Sequence, residues 1–190
     1  EPLYLRLVAD AKKQYGPESE EYATALASLA SLYNSWGQYP KATTAYTKVL
    51  ALLEKQFGSE SDKLIPILVE LGKEQSGRPY LQAEQKPEDY LKRAAKIGTE
   101  KFGKDSKAVV AVLDVLSNYY QRHHEWDKAA KTYTQIIAAD EKIFGPESAE
   151  TMKALEQYAG VLQMMGLKNA AESIEARITK LKSPKSATDN

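Results

Sequence analysis

Apolar residues recur at intervals of three and four along most of this chain, with polar residues filling the positions between. Leu26, Leu29, Ala30 and Tyr33 form one such stripe, which breaks at Gly37 and resumes as Tyr39, Ala42, Tyr46, Val49 and Leu53. That spacing gathers on one face of a helix with 3.6 residues per turn, so it predicts two amphipathic helices joined at the glycine. The same order returns as Leu68, Leu71 and Gly72, and as Leu113, Leu116, Ser117 and Tyr120 followed by Trp126, Ala129, Tyr133 and Ile136. It returns once more in Leu155, Tyr158, Ala159 and Leu162. A small residue always follows the second large one, and a short side chain there lets a neighbouring helix come close.

An aromatic–glycine pair punctuates the stripes at Tyr15-Gly16, Phe57-Gly58, Phe102-Gly103 and Phe144-Gly145; the steps from 16 to 58, 58 to 103 and 103 to 145 are 42, 45 and 42 residues. A regular period of this length marks a helical repeat. Ser19, Ser61, Ser106 and Ser148 follow the pairs, placed so that each hydroxyl can accept a hydrogen bond from the free N–H groups opening the next helix. Nine helices are predicted in one domain over 1–182: a second helix of an incomplete upstream repeat at 1–14, with Tyr4, Leu7 and Val8 in place, then four hairpins at 15–56, 57–101, 102–143 and 144–182. The missing initiator Met and the start inside a helical pattern predict a piece of a longer chain. The polar segment 183–190 is expected to be a disordered tail.

The second repeat departs most from the pattern. Residues 76–86 replace a short turn and account for the longer step, and the next helix is expected to begin at Pro87, with Glu88 and Asp89 complementing its N-terminus. Arg78, Tyr80 and Leu81 make this insertion a candidate contact loop for a partner; the alternative is a solvated insertion. Pro66 predicts a kink in the first helix of the repeat unless that helix starts late.

Leu26, Leu29, Ala30, Tyr33, Gly37, Tyr39, Ala42 and Tyr46 match, in order, the large, large, small, aromatic, Gly, aromatic, Ala, aromatic signature of tetratricopeptide repeats. With its longer period and the connectors Tyr15-Gly-Pro-Glu-Ser19 and Phe144-Gly-Pro-Glu-Ser148, the chain resembles the 42-residue variety found in kinesin light chains. The resemblance implies an all-α fold, a right-handed αα superhelix (solenoid) of helical hairpins, and a protein–protein interaction scaffold that holds a peptide or protein segment against the first helix of each hairpin. Carried over by register, the ligand-facing positions are Thr24, Ala27, Ser31 and Asn34 in the first repeat and Val69 and Lys73 in the second. In the third they are Asp114, Asn118, Gln121 and Arg122, and in the fourth Lys153, Glu156 and Gln163. Relatives that clamp chaperone carboxylates carry Lys and Asn at two of these places, where this chain has Ala27, Val69, Asp114 and Glu156, then Ser31, Lys73, Asn118 and Gly160. The resemblance therefore names a general role and leaves the partner open.

Composition narrows the remaining classes. Lys and Arg number 26 and Asp and Glu number 26, so no net basic field draws in nucleic acid or an acidic membrane. Apolar residues never run for the roughly 20 positions a membrane span needs, so no membrane insertion is expected. With no cysteine the chain lacks disulfides, thiolate metal ligands and a thiol nucleophile, which fits the cytosol and equally a disulfide-free exported protein. The two histidines, His123 and His124, are adjacent and would point roughly 100° apart on a helix, so they cannot share one ion. No catalytic residue, metal site or cofactor is expected, and the chain is read as a binding protein and not an enzyme. Two alternatives stay open: self-assembly through apolar faces of the end helices, the last offering Ile174, Ile178 and Leu181, and a sensing arm of a larger regulatory protein.

Overall fold

The computed structural model describes residues 1–73 and 86–182, and among these all regular structure is helical. The elements are α1 (Pro2–Tyr15), α2 (Glu20–Ser35), α3 (Tyr39–Phe57), a 3-10 turn (Asp62–Leu64) running into α4 (Ile65–Gly72), α5 (Pro87–Phe102), α6 (Lys107–Arg122), α7 (Trp126–Ile143), α8 (Ala149–Met164) and α9 (Lys168–Lys182). Arg78, Tyr80, Leu81 and the segment 183–190 lie outside the described residues.

Local chemistry explains where these helices start. Ser19, Ser106 and Ser148 hold extended backbone, and their hydroxyls accept from the amides of Tyr22, Val109 and Thr151 at 3.1, 3.4 and 3.2 Å. Ser61 does the same for Lys63 at 3.3 Å, but what it opens is the 3-10 turn. The expected kink at Pro66 does not form because α4 starts late: Pro66 falls in its first turn, where its fixed φ suits the helix and proline is tolerated.

Helix ends follow two rules. Between repeats, Gly16 and Gly58 combine φ near +90° with ψ of about +160°, a region open almost only to glycine, Gly145 has φ 92°, and the carbonyls of the three accept from the amides of Ser19, Ser61 and Ser148. Within hairpins the chain reverses through paired bonds: Gly37 N–H to the Asn34 carbonyl and Gln38 N–H to the Tyr33 carbonyl, repeated by Gly166 to Gln163 and Leu167 to Leu162. The third hairpin makes the same pair, His124 to Gln121 and Glu125 to Tyr120, with His124 at φ 56° in the glycine position. The two histidines therefore do not share a helix; α6 ends at Arg122, just before them.

The chain divides at Ile97/Gly98, inside α5, into two compact units. In the first, α1 packs on α2, α2 on α3 and α3 on α4. Its core holds Leu26, Leu29, Tyr33, Tyr46, Val49, Leu68 and Leu91, and Ala30 at the small-residue position is wholly buried. Gly72 takes that position in the second repeat, where a Cβ would stand 2.3 Å from Leu91 Cγ, so any larger residue would force Leu91 of α5 to shift. Leu7, expected in the apolar stripe of α1, is exposed with Leu3 and Leu5, and Ala11 is the residue that α1 buries.

In the second unit α6 packs on α7, α7 on α8 and α8 on α9. Ser117 and Ala159 occupy the small positions and are buried, as are Ala129 and Ala171 on the second helices. The last helix does not present the apolar face expected of it: Ile178 is buried, and Ile174 and Leu181 are half-buried. Ion pairs recur on equivalent residues. Lys55 reaches Glu18 at 2.5 Å and Lys142 reaches Asp105 at 2.6 Å, each tying a second helix to the connector that opens its own repeat. Arg93 to Glu54 and Arg177 to Glu141 link neighbouring second helices in the two units.

Candidate peptide-binding face

Each unit places first-helix side chains around a tyrosine from a second helix. In the first unit that residue is Tyr46 of α3, whose ring is in the core while its hydroxyl lies by Ser31 of α2 and within the field of Glu70 of α4. Burial, followed by the Glu70 charge, pushes its pKa up, and the hydrogen bond with Ser31 opposes the shift. Thr24 is exposed and its hydroxyl donates to the Glu20 carbonyl, 2.8 Å away. Ala27, Asn34 and Val69 are half-buried, and Lys73 is exposed and paired with Glu70. Small side chains at Ala27 and Ser31 leave this face low in relief.

The second unit repeats the plan with more charge. Tyr133 of α7 is buried, and its hydroxyl accepts from Gln121 Nε2 at 3.0 Å. Burial raises its pKa, the hydrogen bond with Ser117 lowers it, the charge of Asp114 raises it, and Gln121 lowers it. Asp114 is held above the ordinary carboxylate range by desolvation, against the attraction of Lys153 on α8. Asn118 is exposed and its amide donates to the Asp114 carbonyl at 2.8 Å, while Arg122 and Lys153 are exposed. Glu156 is bridged to Lys182 at 2.9 Å and Gln163 donates to Glu175 at 2.7 Å, so both are tied to α9.

One residue here escaped the sequence reading. Asp140 of α7 is only 4% exposed, and its Oδ1 has no hydrogen-bond partner. Desolvation pushes its pKa up, with further contributions from Asp114 on α6 and Glu150 on α8. It follows Tyr133 by seven residues, as Leu53 follows Tyr46, so a carboxylate stands where α3 carries a core leucine. A charge on an otherwise apolar stripe was the available signal. Among the described residues no group of three or more His, Cys, Asp or Glu is placed to hold a metal ion, and no helix is long and apolar enough to cross a membrane.

Residues 1–55 match the family model described as tetratricopeptide repeat. No curated protein matches the sequence. Among solved structures, the nearly identical TPR-like repeats of a kinesin light chain-like protein from Podosopora anserina superpose with a TM-score of 0.78 at 20% identity, covering 95% of this chain and 84% of that one. A point variant of the same repeats gives 0.79 at 18% identity with the same coverage. BtubC (BKLC) from P. vanneervenii gives 0.76 at 20% identity over 100% of this chain and 77% of its own.

Proposed function

Because this chain carries a tetratricopeptide repeat at its N-terminus and shares its fold with kinesin light chain-like repeat structures, we propose that it binds a peptide or protein segment on its first-helix faces and performs no catalysis. The tetratricopeptide family mediates protein–protein interaction, and the observation that favours these faces is the grouping of Asp114, Asn118, Gln121 and Arg122 along one helix beside Lys153 of the next. Amide, guanidinium and carboxylate groups at such positions can hydrogen-bond an extended backbone and pair with its side chains. Helices also present these groups in a preformed arrangement, so little ordering cost falls on the protein when a segment binds. The second unit supplies most of the polar contacts in this reading. The first, lined by Thr24, Ala27 and Ser31, admits bulkier or apolar ligand side chains.

Isothermal titration with a peptide selected from a random library tests the reading. The double variant Asn118→Ala, Arg122→Ala is expected to weaken binding by about 1–3 kcal/mol, with an unchanged helical spectrum. Lys131→Ala, exposed on α7, is the control. Equal affinity for the double variant and wild type would move binding off the first helices. A second reading, self-assembly, is favoured by the exposed Leu3, Leu5 and Leu7 of α1.

A further inference from the structure

The first turn of α7 and the last turn of α8 border a cleft of about 580 Å³ at the hairpin-turn edge of the second unit. The half-buried Trp126 lines it with His124, whose ring centre lies 5.4 Å from that of the indole. From α8 come Met164 and Met165. The fold accounts for Trp126, since Tyr39 opens α3 at the same place after the first hairpin's turn. It does not account for Met164, an apolar side chain left 62% exposed.

Charge around the cleft is uneven. Lys128 is taken up by Glu125, with which it pairs, and by the Tyr120 ring, whose centre is 5.2 Å away. Asp127 also lines the cleft; it is exposed, and no described cation comes within ion-pair distance of it. The turn does not require this acid. Pro40 and Asn169 stand at the equivalent places, each three residues past the left-handed residue of its hairpin, and α3 and α9 start with no acid in the first turn. Thioether surface, an indole and one uncommitted carboxylate together suit a side chain that is apolar along its stem and cationic at its tip. Arginine has that form: its methylenes pack on the methionines, its planar guanidinium stacks on the indole, and its N–H groups donate to the carboxylate. A wholly apolar side chain would cover Asp127 without pairing it, and an anion would be repelled.

We propose that this cleft receives an arginine side chain of the bound peptide, with its guanidinium between the Trp126 ring and the Asp127 carboxylate and its stem on Met164. The proposal rests on the peptide-binding reading above and deepens it by giving the ligand one required residue. Met164 joins the two. It ends α8 as Arg122 ends α6, 42 residues earlier (122 to 164), so the cleft continues the register of the ligand-facing positions.

The test starts from a random dodecapeptide phage library selected on the full chain, which is expected to enrich peptides with arginine recurring at one position. For one such peptide, exchange of that arginine for citrulline, which keeps the shape and removes the charge, is expected to weaken binding about tenfold on wild type and under about threefold on Asp127→Asn. Thermal melts show that the variant is folded. A second readout locates the cation: Trp36→Phe leaves Trp126 as the single indole, and its fluorescence is expected to change on binding the arginine peptide and much less with the citrulline analogue. Peptides enriched without arginine, or with lysine in its place, overturn the cleft proposal and leave the peptide-binding reading standing. An arginine preference that Asp127→Asn does not reduce, or binding that leaves the Trp126 signal unmoved, puts the cation elsewhere and also overturns it. If no peptide is enriched on the wild-type chain, both proposals fall.

Discussion

His124, at φ 56°, holds the left-handed position that Gly37 and Gly166 take at 71° and 75° in the other hairpins, and a left-handed conformation costs a residue with a Cβ about 1–2 kcal/mol. His124→Gly removes that strain and gives back part of it as unfolded-state entropy. The expected result is a gain of up to about 1 kcal/mol, read as a rise of about 2–4 °C in Tm. Asp140 makes the second prediction at this scale. Its folded pKa lies above its unfolded value, so the native state holds the proton more tightly, and the contribution to stability is full at low pH and lost as pH rises through the folded pKa. Asp140→Leu is therefore expected to stabilise the chain by roughly 1–3 kcal/mol at neutral pH. That gain shrinks as pH falls toward the ordinary carboxylate value of 3.8, and melts from pH 7 down to pH 4 read the trend. A gain independent of pH would mean the carboxylate is not the source of the cost.

Helix pairs are held by close approach at the small positions. Gly72 leaves no room for a side chain, because the Cβ of an alanine would meet Leu91 at 2.3 and 2.6 Å and the Pro87 carbonyl at 3.1 Å. Leu91 can yield by changing rotamer, but the α5 backbone cannot move without disturbing Ala94 and Ile97, which are also fully buried. Gly72→Ala is expected to destabilise by roughly 1–3 kcal/mol in a denaturant titration, although alanine is the better helix former. The element boundaries themselves were legible in the sequence. Ser19, Ser106 and Ser148 cap where their spacing from the aromatic–glycine pairs put them, since capping depends on groups two or three residues apart. The late start of α4 was less legible, because Pro66 is compatible with either a kink or a first turn until the 3-10 turn ahead of it is seen.

For the molecule as a whole, the peptide-binding and self-assembly readings predict different masses. Binding without assembly gives 21.1 kDa in light scattering at every loading concentration. Assembly through α1 gives a mass that rises with concentration and returns to 21.1 kDa in the Leu3→Ser, Leu7→Ser variant, whose two leucines are 76% and 50% exposed. A balance of 26 basic and 26 acidic residues removes net repulsion as a barrier to pairing, so the exposed leucines decide the outcome.

The amino-acid sequence by itself determined the helices, their order, their caps and the 42-residue period, because each rests on interactions within a turn or two of the chain. It also determined which small residues lie at close contacts, since a stripe repeated in register admits one packing face. Only the tertiary structure decided the partners of the candidate site: Gln121 on Tyr133, Glu156 on Lys182, and Asp140 buried within the field of Asp114 and Glu150. Those side chains are separated by turns of chain, and whether two charges attract, repel or are screened depends on burial and distance. A linear pattern does not carry that information.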